Sequence, residues 1–108
     1  MANVYTNRFY IPTTTAQSTV YTCPTTARAI IQNIQITNHS GSHEVEAFVY
    51  DTSGATTVEI GHTNIASKSV VNMAAGPIIL EEGDSLLLTT TDTTNVRGII
   101  SILEVNRD

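Results

Sequence analysis

Two histidines stand on either side of a short polar turn in Asn38-His39-Ser40-Gly41-Ser42-His43, and two glutamates, Glu44 and Glu46, follow. An imidazole pair with carboxylates nearby is a donor set suited to zinc or nickel. Everything depends on the turn. In a three-residue hairpin His39 and His43 face each other with Cβ atoms ~5 Å apart. On one continuous strand the same spacing holds them ~13 Å apart. His39 and His43 are therefore metal candidates only if the turn is a hairpin. The plainer reading is a pair of exposed loop histidines, with no resident metal and no other cofactor.

Glu81-Glu82-Gly83-Asp84 gathers three carboxylates around one glycine. Oxygen ligands suit calcium, but a calcium loop spaces its ligands at alternating positions. This turn does not, and it reads as the solvated tip of a hairpin in which Gly83 supplies a positive φ. Cys23 has no base or orienting group near it in sequence, and cysteine is commonly buried; a small core residue is expected. The chain has no G-x-S-x-G, no H-E-x-x-H and no phosphate-cradling glycine loop. No catalytic residue is expected, and the protein reads as a non-enzyme. Asn38-His39-Ser40 matches the glycosylation triplet, which carries little weight without an export signal.

The tyrosines, Tyr5, Tyr10, Tyr21 and Tyr50, suit either of two surfaces. They can stack on sugars, or they can sit half-buried at a subunit interface, where Tyr is enriched. Tyr5 and Tyr10, with Phe9, precede Pro12 in a weakly charged segment suited to an arm reaching onto a neighbour. The expected interface residues are thus Tyr5, Phe9 and Tyr10.

The elements that position these groups are strands. Short β-branched runs alternate with Thr, Ser, Asn, Pro and Gly breaks from Val4 to Val105, with no helical period. Val4–Tyr10 stands first, as a strand or an arm. Thr19–Cys23, Arg28–Asn38, Glu44–Asp51, Thr57–Thr63, Ser67–Met73, Ile78–Leu80, Ser85–Thr91 and Gly98–Val105 follow. Arg28–Asn38 is expected to put Ile30, Ile34 and Ile36 on one face. Glu44–Asp51 is expected to put Val45, Ala47 and Val49 on one. The last strand sets Ile100 and Ile102 opposite Ile99 and Leu103, so it is apolar on both faces. One face can meet the domain's own core, and Ile99 and Leu103 are then available for a partner. About eight strands at this spacing, with no repeat of 20–50 residues, predict an all-β, single-domain antiparallel β-sandwich of jelly-roll-like form. The organisation expected is an N-terminal strand or arm over 1–18 and a β-sandwich domain over 19–108.

Composition narrows the function classes. Charged residues are 14% of the 108, against about 25% in an average soluble domain. Threonine fills eighteen positions and Lys68 is the single lysine. Soluble monomers usually keep their sheet edges apart with charge, lysine above all, so a surface this sparse points to coverage by copies of itself or by a partner. The net charge is −5 with the five basic residues scattered, which argues against nucleic acid, since phosphate backbones need clustered Lys and Arg. No apolar run approaches the ~20 residues of a membrane span. The opening MANVYTNRFY lacks the basic and apolar regions of a signal peptide, so synthesis in a cytoplasm without export is expected. One cysteine precludes an internal disulfide.

Three stretches together resemble a known group: Val20-Tyr21-Thr22-Cys23-Pro24, then Ile31-x-x-Ile34-x-Ile36-x-Asn38, then Leu80-x-x-Gly83-Asp84-x-Leu86. The order is similar to that of small β-sandwich virion structural proteins of tailed bacteriophages, cyanophages among them, over Thr19 to Val105. The resemblance implies a capsid decoration or cement protein, or a neck, baseplate, tail or fibre component. It also implies a homo-oligomer, a trimer favoured, bound to the major capsid protein or another virion protein and localised in the virion. It brings no catalytic residues. A soluble carbohydrate-binding module is the rival from a different class; an enzyme is the weakest reading.

Overall fold

The short apolar runs become nine strands and no helix among residues 3–106, the residues that the computed structural model describes. They are β1 (Asn3–Tyr10), β2 (Ser18–Thr22), β3 (Ala27–Asn38), β4 (His43–Asp51), β5 (Thr56–Ile65), β6 (Ser69–Asn72), β7 (Ile78–Leu80), β8 (Ser85–Thr90) and β9 (Val96–Asn106). One sheet has the order β1-β9-β3-β6, with β7 also paired to β3; the other has the order β2-β8-β4-β5. Every pairing is antiparallel.

The pairings nest. β4 pairs β5, β3 pairs β6 and β7, β2 pairs β8, and β1 pairs β9. The chain is thus one long hairpin centred on the loop Thr52–Ala55, wrapped so that its successive strand pairs alternate between two sheets. That is the winding of a jelly roll, and the molecule is a single-domain antiparallel β-sandwich. Isoleucines of β3 and β9 (Ile31, Ile34, Ile36, Ile100, Ile102) meet Val45, Leu86 and Leu88 of the opposite sheet, all at most 2% exposed.

Nesting explains where local pattern misleads. Among the described strands, only β4 and β5 are consecutive neighbours in one sheet joined by a hairpin. The turns at Ser40–Ser42 and at Glu81–Asp84 instead carry the chain from one sheet to the other, β3 to β4 and β7 to β8. The second is a tied corner, not a solvated tip. Asp84 is 7% exposed; its Oδ1 accepts from Thr52 N at 3.1 Å and its Oδ2 from Glu81 N at 3.0 Å. Gly83 does take a positive φ of 85°, and its N–H donates to Cys23 O at 3.0 Å. An added Cβ there would stand 3.3 Å from Thr52 Oγ1.

β3 departs from the expected parity in its first half. The register slips between Ile31 and Asn33, so Gln32 is an inserted residue of a β-bulge. Ile31, Ile34 and Ile36 therefore face the core, and Ile30 turns outward with Arg28.

From Asn3 to Tyr10 the N-terminal segment is an edge strand of the first sheet, in register with β9 along its whole length. It is not a detached arm. Tyr10 is corrected with it: its ring is 2% exposed in the core, because even-numbered residues of β1 point inward. Burial pushes its phenol up to about 12, and the hydroxyl finds no partner among the described residues.

Candidate functional site

Register and parity together build an outward face on the first sheet. Residues directly opposite in antiparallel strands share a face, so the pairings give its rows. Tyr5, Leu103, Ile30 and Ile79 lie side by side across β1, β9, β3 and β7. Two residue pairs further along come Phe9, Ile99, Gln35 and Asn72. Between these rows lies a polar one, Asn7, Ser101 and Asn33. Tyr5 is 76%, Phe9 66% and Ile79 64% exposed. Ile99 and Leu103 are half-buried by their neighbours in the rows. Four of the five expected interface residues thus stand on one surface, and Tyr10 does not. No strand residue on this face is a carboxylate; Arg28 and Arg97 sit at its opposite ends.

The outward face of the second sheet is different in kind. There Glu46 stands opposite His62. His62 Nε2 lies 3.1 Å from Glu44 Oε1, and its Nδ1 lies 3.7 Å from both Glu46 Oε2 and Glu59 Oε2. Residues 59 and 62 on a regular strand would point to opposite faces. Ile60 is inserted, since Ala47 pairs Gly61 and Phe48 pairs Glu59, and this bulge swings Glu59 onto the side of His62. Ligand atoms of Glu46, Glu59 and His62 come within 4.8 Å of one another. The hydrogen bond to Glu44 raises the His62 pKa. A hydrogen bond between Glu46 and Glu59 lowers the pKa of the first and raises that of the second. One imidazole and two carboxylates are donors of the type divalent cations take, but here they already satisfy each other in an open, solvated ion cluster.

This is the constellation that sequence spacing missed. Its signal was Gly61, a glycine inside a strand and so a mark of a bulge. The pair that spacing did single out, His39 and His43, is not assembled as a hairpin pair, because the turn between them joins β3 and β4, which lie in different sheets. His43 Nε2 sits 2.9 Å from Ser40 O and 3.5 Å from Asp92 Oδ2. His39 borders a depression with Lys68, Ser69 and Asn38; the Asn38 amide is spent on the carbonyls of Gly41 and Ile65, so it serves the fold. Cys23 is 1% exposed and donates from Sγ to Ala27 O at 3.3 Å. Burial pushes its thiol up, the opposite of what a nucleophile needs.

No known protein-family model matches the sequence, and no curated protein matches it. Solved structures do match its fold. A chain from the acid-stable capsid of Helicobacter pylori bacteriophage KHP30 superposes with a TM-score of 0.62 at 10% identity, over 100% of this chain and 90% of that one. A subunit of the Bacillus endospore appendages, described as disulfide-linked pili, gives 0.60 at 9% identity, over 99% and 88%. A chain of the T13 infectious bursal disease virus particle gives 0.59 at 5% identity, over 96% of this chain and 31% of that one. At these identities the likeness is one of fold.

Proposed function

We propose that this chain is a non-enzymatic structural subunit of a phage particle: a homo-oligomeric decoration or cement protein on the outer face of the head. The observation that carries this is the apolar outward face of the first sheet, borne on a jelly roll similar end to end to a phage capsid chain. Three large apolar side chains at least 64% exposed on one face are an expense for a monomer, and exposed apolar patches commonly mark an interaction surface. Cementing works by burying such surface across boundaries between capsid subunits, so that the shell resists internal pressure. A net charge of −5 suits the outside of a shell, since the inside faces DNA phosphates. The major capsid protein is the partner this reading requires, and a trimer is the oligomer the family resemblance implies.

A neck, baseplate or tail position shares these features and differs in copy number. A linked pilus is less well supported, because the one cysteine of these 108 residues is buried and held by a backbone carbonyl. A tyrosine platform for sugars shrinks to Tyr5 and Tyr50, since Tyr10 and Tyr21 are each 2% exposed. The deciding experiment is quantitative mass spectrometry of gradient-purified particles of the phage that encodes the chain. One copy per few major capsid subunits is expected. A few dozen copies or fewer would move the protein to the neck or tail, and absence from the particle would overturn the virion reading.

A further inference from the structure

We infer that the outward face of the first sheet is a two-fold interface, in which a second copy of this chain packs β9 over β9 with the strands running in opposite directions. The inference rests on the reading of the chain as a self-assembling subunit and gives this face to self-association, so that contact with a capsid falls to another surface of the oligomer; it needs no phage and no capsid partner to test.

The pattern of rows is the ground for it. An isologous interface must be complementary to itself, so whatever lies at a given distance on one side of the axis must fit what lies at that distance on the other. With Ser101 as centre, the row of Leu103 and the row of Ile99 are equidistant, two residues away in either direction, and both are apolar where they cross β1 and β9. A two-fold axis lying across the strands through the Ser101 row sets Leu103 on Ile99 of the second copy and Tyr5 on Phe9, while on β3 and its outer neighbours Ile30 lies over Gln35 and Ile79 over Asn72, so the apolar contact centres on β1 and β9. The central row then meets itself. Its groups are two amides and a hydroxyl, each both donor and acceptor, so each can pair with its own counterpart.

Direct overlay of like charge disfavours the axis parallel to the strands, and Arg28 brings Glu81 and Glu82 as counter-ions at 3.9 and 3.5 Å. Arg97 and Arg28 stand at opposite ends of the face, opposite Thr37 and Val105 respectively. The axis across the strands brings each arginine to the end where the other copy's different arginine stands on a neighbouring strand, with Arg97 over Val105 and Arg28 over Thr37. The axis along β9 would set Arg97 against Arg97. Size is adequate. β9 is 11 residues long, ~36 Å, and four strand positions span ~19 Å. With β1 at 8 residues and β6 and β7 at 4 and 3, the face is ~600 Å², the lower end of the ~600–1,000 Å² per partner of stable interfaces.

A charge swap at the axis tests the geometry, because residue 101 meets its own copy only in a two-fold pair. Light scattering coupled to gel filtration should give the wild-type chain an even copy number, two alone or six if trimers also form through another surface. Ser101→Lys and Ser101→Glu should each lose that pairing, with self-association weakened at least 100-fold, while circular dichroism shows an intact fold. An equimolar mixture of the two should restore it, as lysine then faces glutamate. Asn7→Lys and Asn7→Glu, on the exposed edge strand of the same row, repeat the test if position 101 proves intolerant. A wild-type monomer or plain trimer overturns the inference, as does a wild-type pair that survives both single variants. Either result leaves the particle copy number to decide the virion role separately.

Discussion

Replacing Tyr5 and Phe9 together with serine removes the two most exposed aromatic side chains of the described residues, at 76% and 66% exposure. An aromatic side chain carries ~200 Å², so these two offer ~150 and ~130 Å² to a partner, worth up to ~7 kcal/mol at ~25 cal/mol per Å². Serine keeps some contact and coverage in an interface is incomplete, so about half, ~3 kcal/mol per copy, is the expected loss. That is ~100-fold for each copy, or ~10⁴-fold in the association constant of a pair in which both copies carry the change. The monomer should barely notice, because the same rings are already in water when it is alone. Sedimentation velocity across a concentration series gives the association constant, and thermal unfolding below it gives the fold. An association constant within threefold of wild type would refute the assembly role of this face. Tyr10→Ser is the contrasting control: at 2% exposure it should cost ~3–5 kcal/mol of folding stability, as truncation of a buried aromatic does.

Two further outcomes follow from the cross-sheet corner and the ion cluster. Asp84→Ala should destabilise the fold by ~2–4 kcal/mol by urea denaturation, since it leaves the N–H groups of Thr52 and Glu81 without their acceptor; a solvated hairpin tip would lose under ~0.5 kcal/mol. The His62 pKa is raised from 6.5 by Glu44, so the folded state holds that proton more tightly than the unfolded chain does. Its contribution is complete below pH 6.5 and fades as pH rises through the folded value. The melting temperature should decline slightly over that rise, and His62→Gln should flatten the decline; an unchanged slope would refute it.

Alternation and composition made the β-sandwich readable, because one buried face per strand imposes a period of two and a turn every few residues. Strand existence was legible nearly throughout. What escaped was whatever depends on a partner strand far along the chain. Glu81–Asp84 carries every local mark of a hairpin, a positive-φ glycine included, yet β7 pairs β3 and β8 pairs β2 and β4. Local chemistry specifies a reversal; it cannot specify which sheet the chain enters next. The two bulges at Gln32 and Ile60 escaped for a related reason. One inserted residue reverses parity, so Ile30 moved from the core to the surface and Glu59 joined His62. The outward placement of Ile99 and Leu103 was legible because β9 runs without a slip through that stretch.

The two outward faces of the sandwich divide the labour that composition left unassigned. The second sheet gathers Glu44, Glu46 and Glu59 around His62, a solvated arrangement that tolerates water and repels other acidic surfaces. The outward face of the first sheet carries apolar residues and no strand carboxylate, which makes it the face that gains most from being covered. β9 connects the two requirements. Its even residues, Ile100 and Ile102, hold the core, and its odd residues, Ile99 and Leu103, hold the outer rows. Sitting between β1 and β3, it has no free backbone edge, so both faces are presented by a strand that hydrogen bonds fix on both sides. An interface built there is preorganised, and side-chain contact rather than backbone ordering sets its strength. Weakening the core under β9 should therefore weaken assembly in proportion, whereas changes at the acidic face of the second sheet should leave assembly untouched.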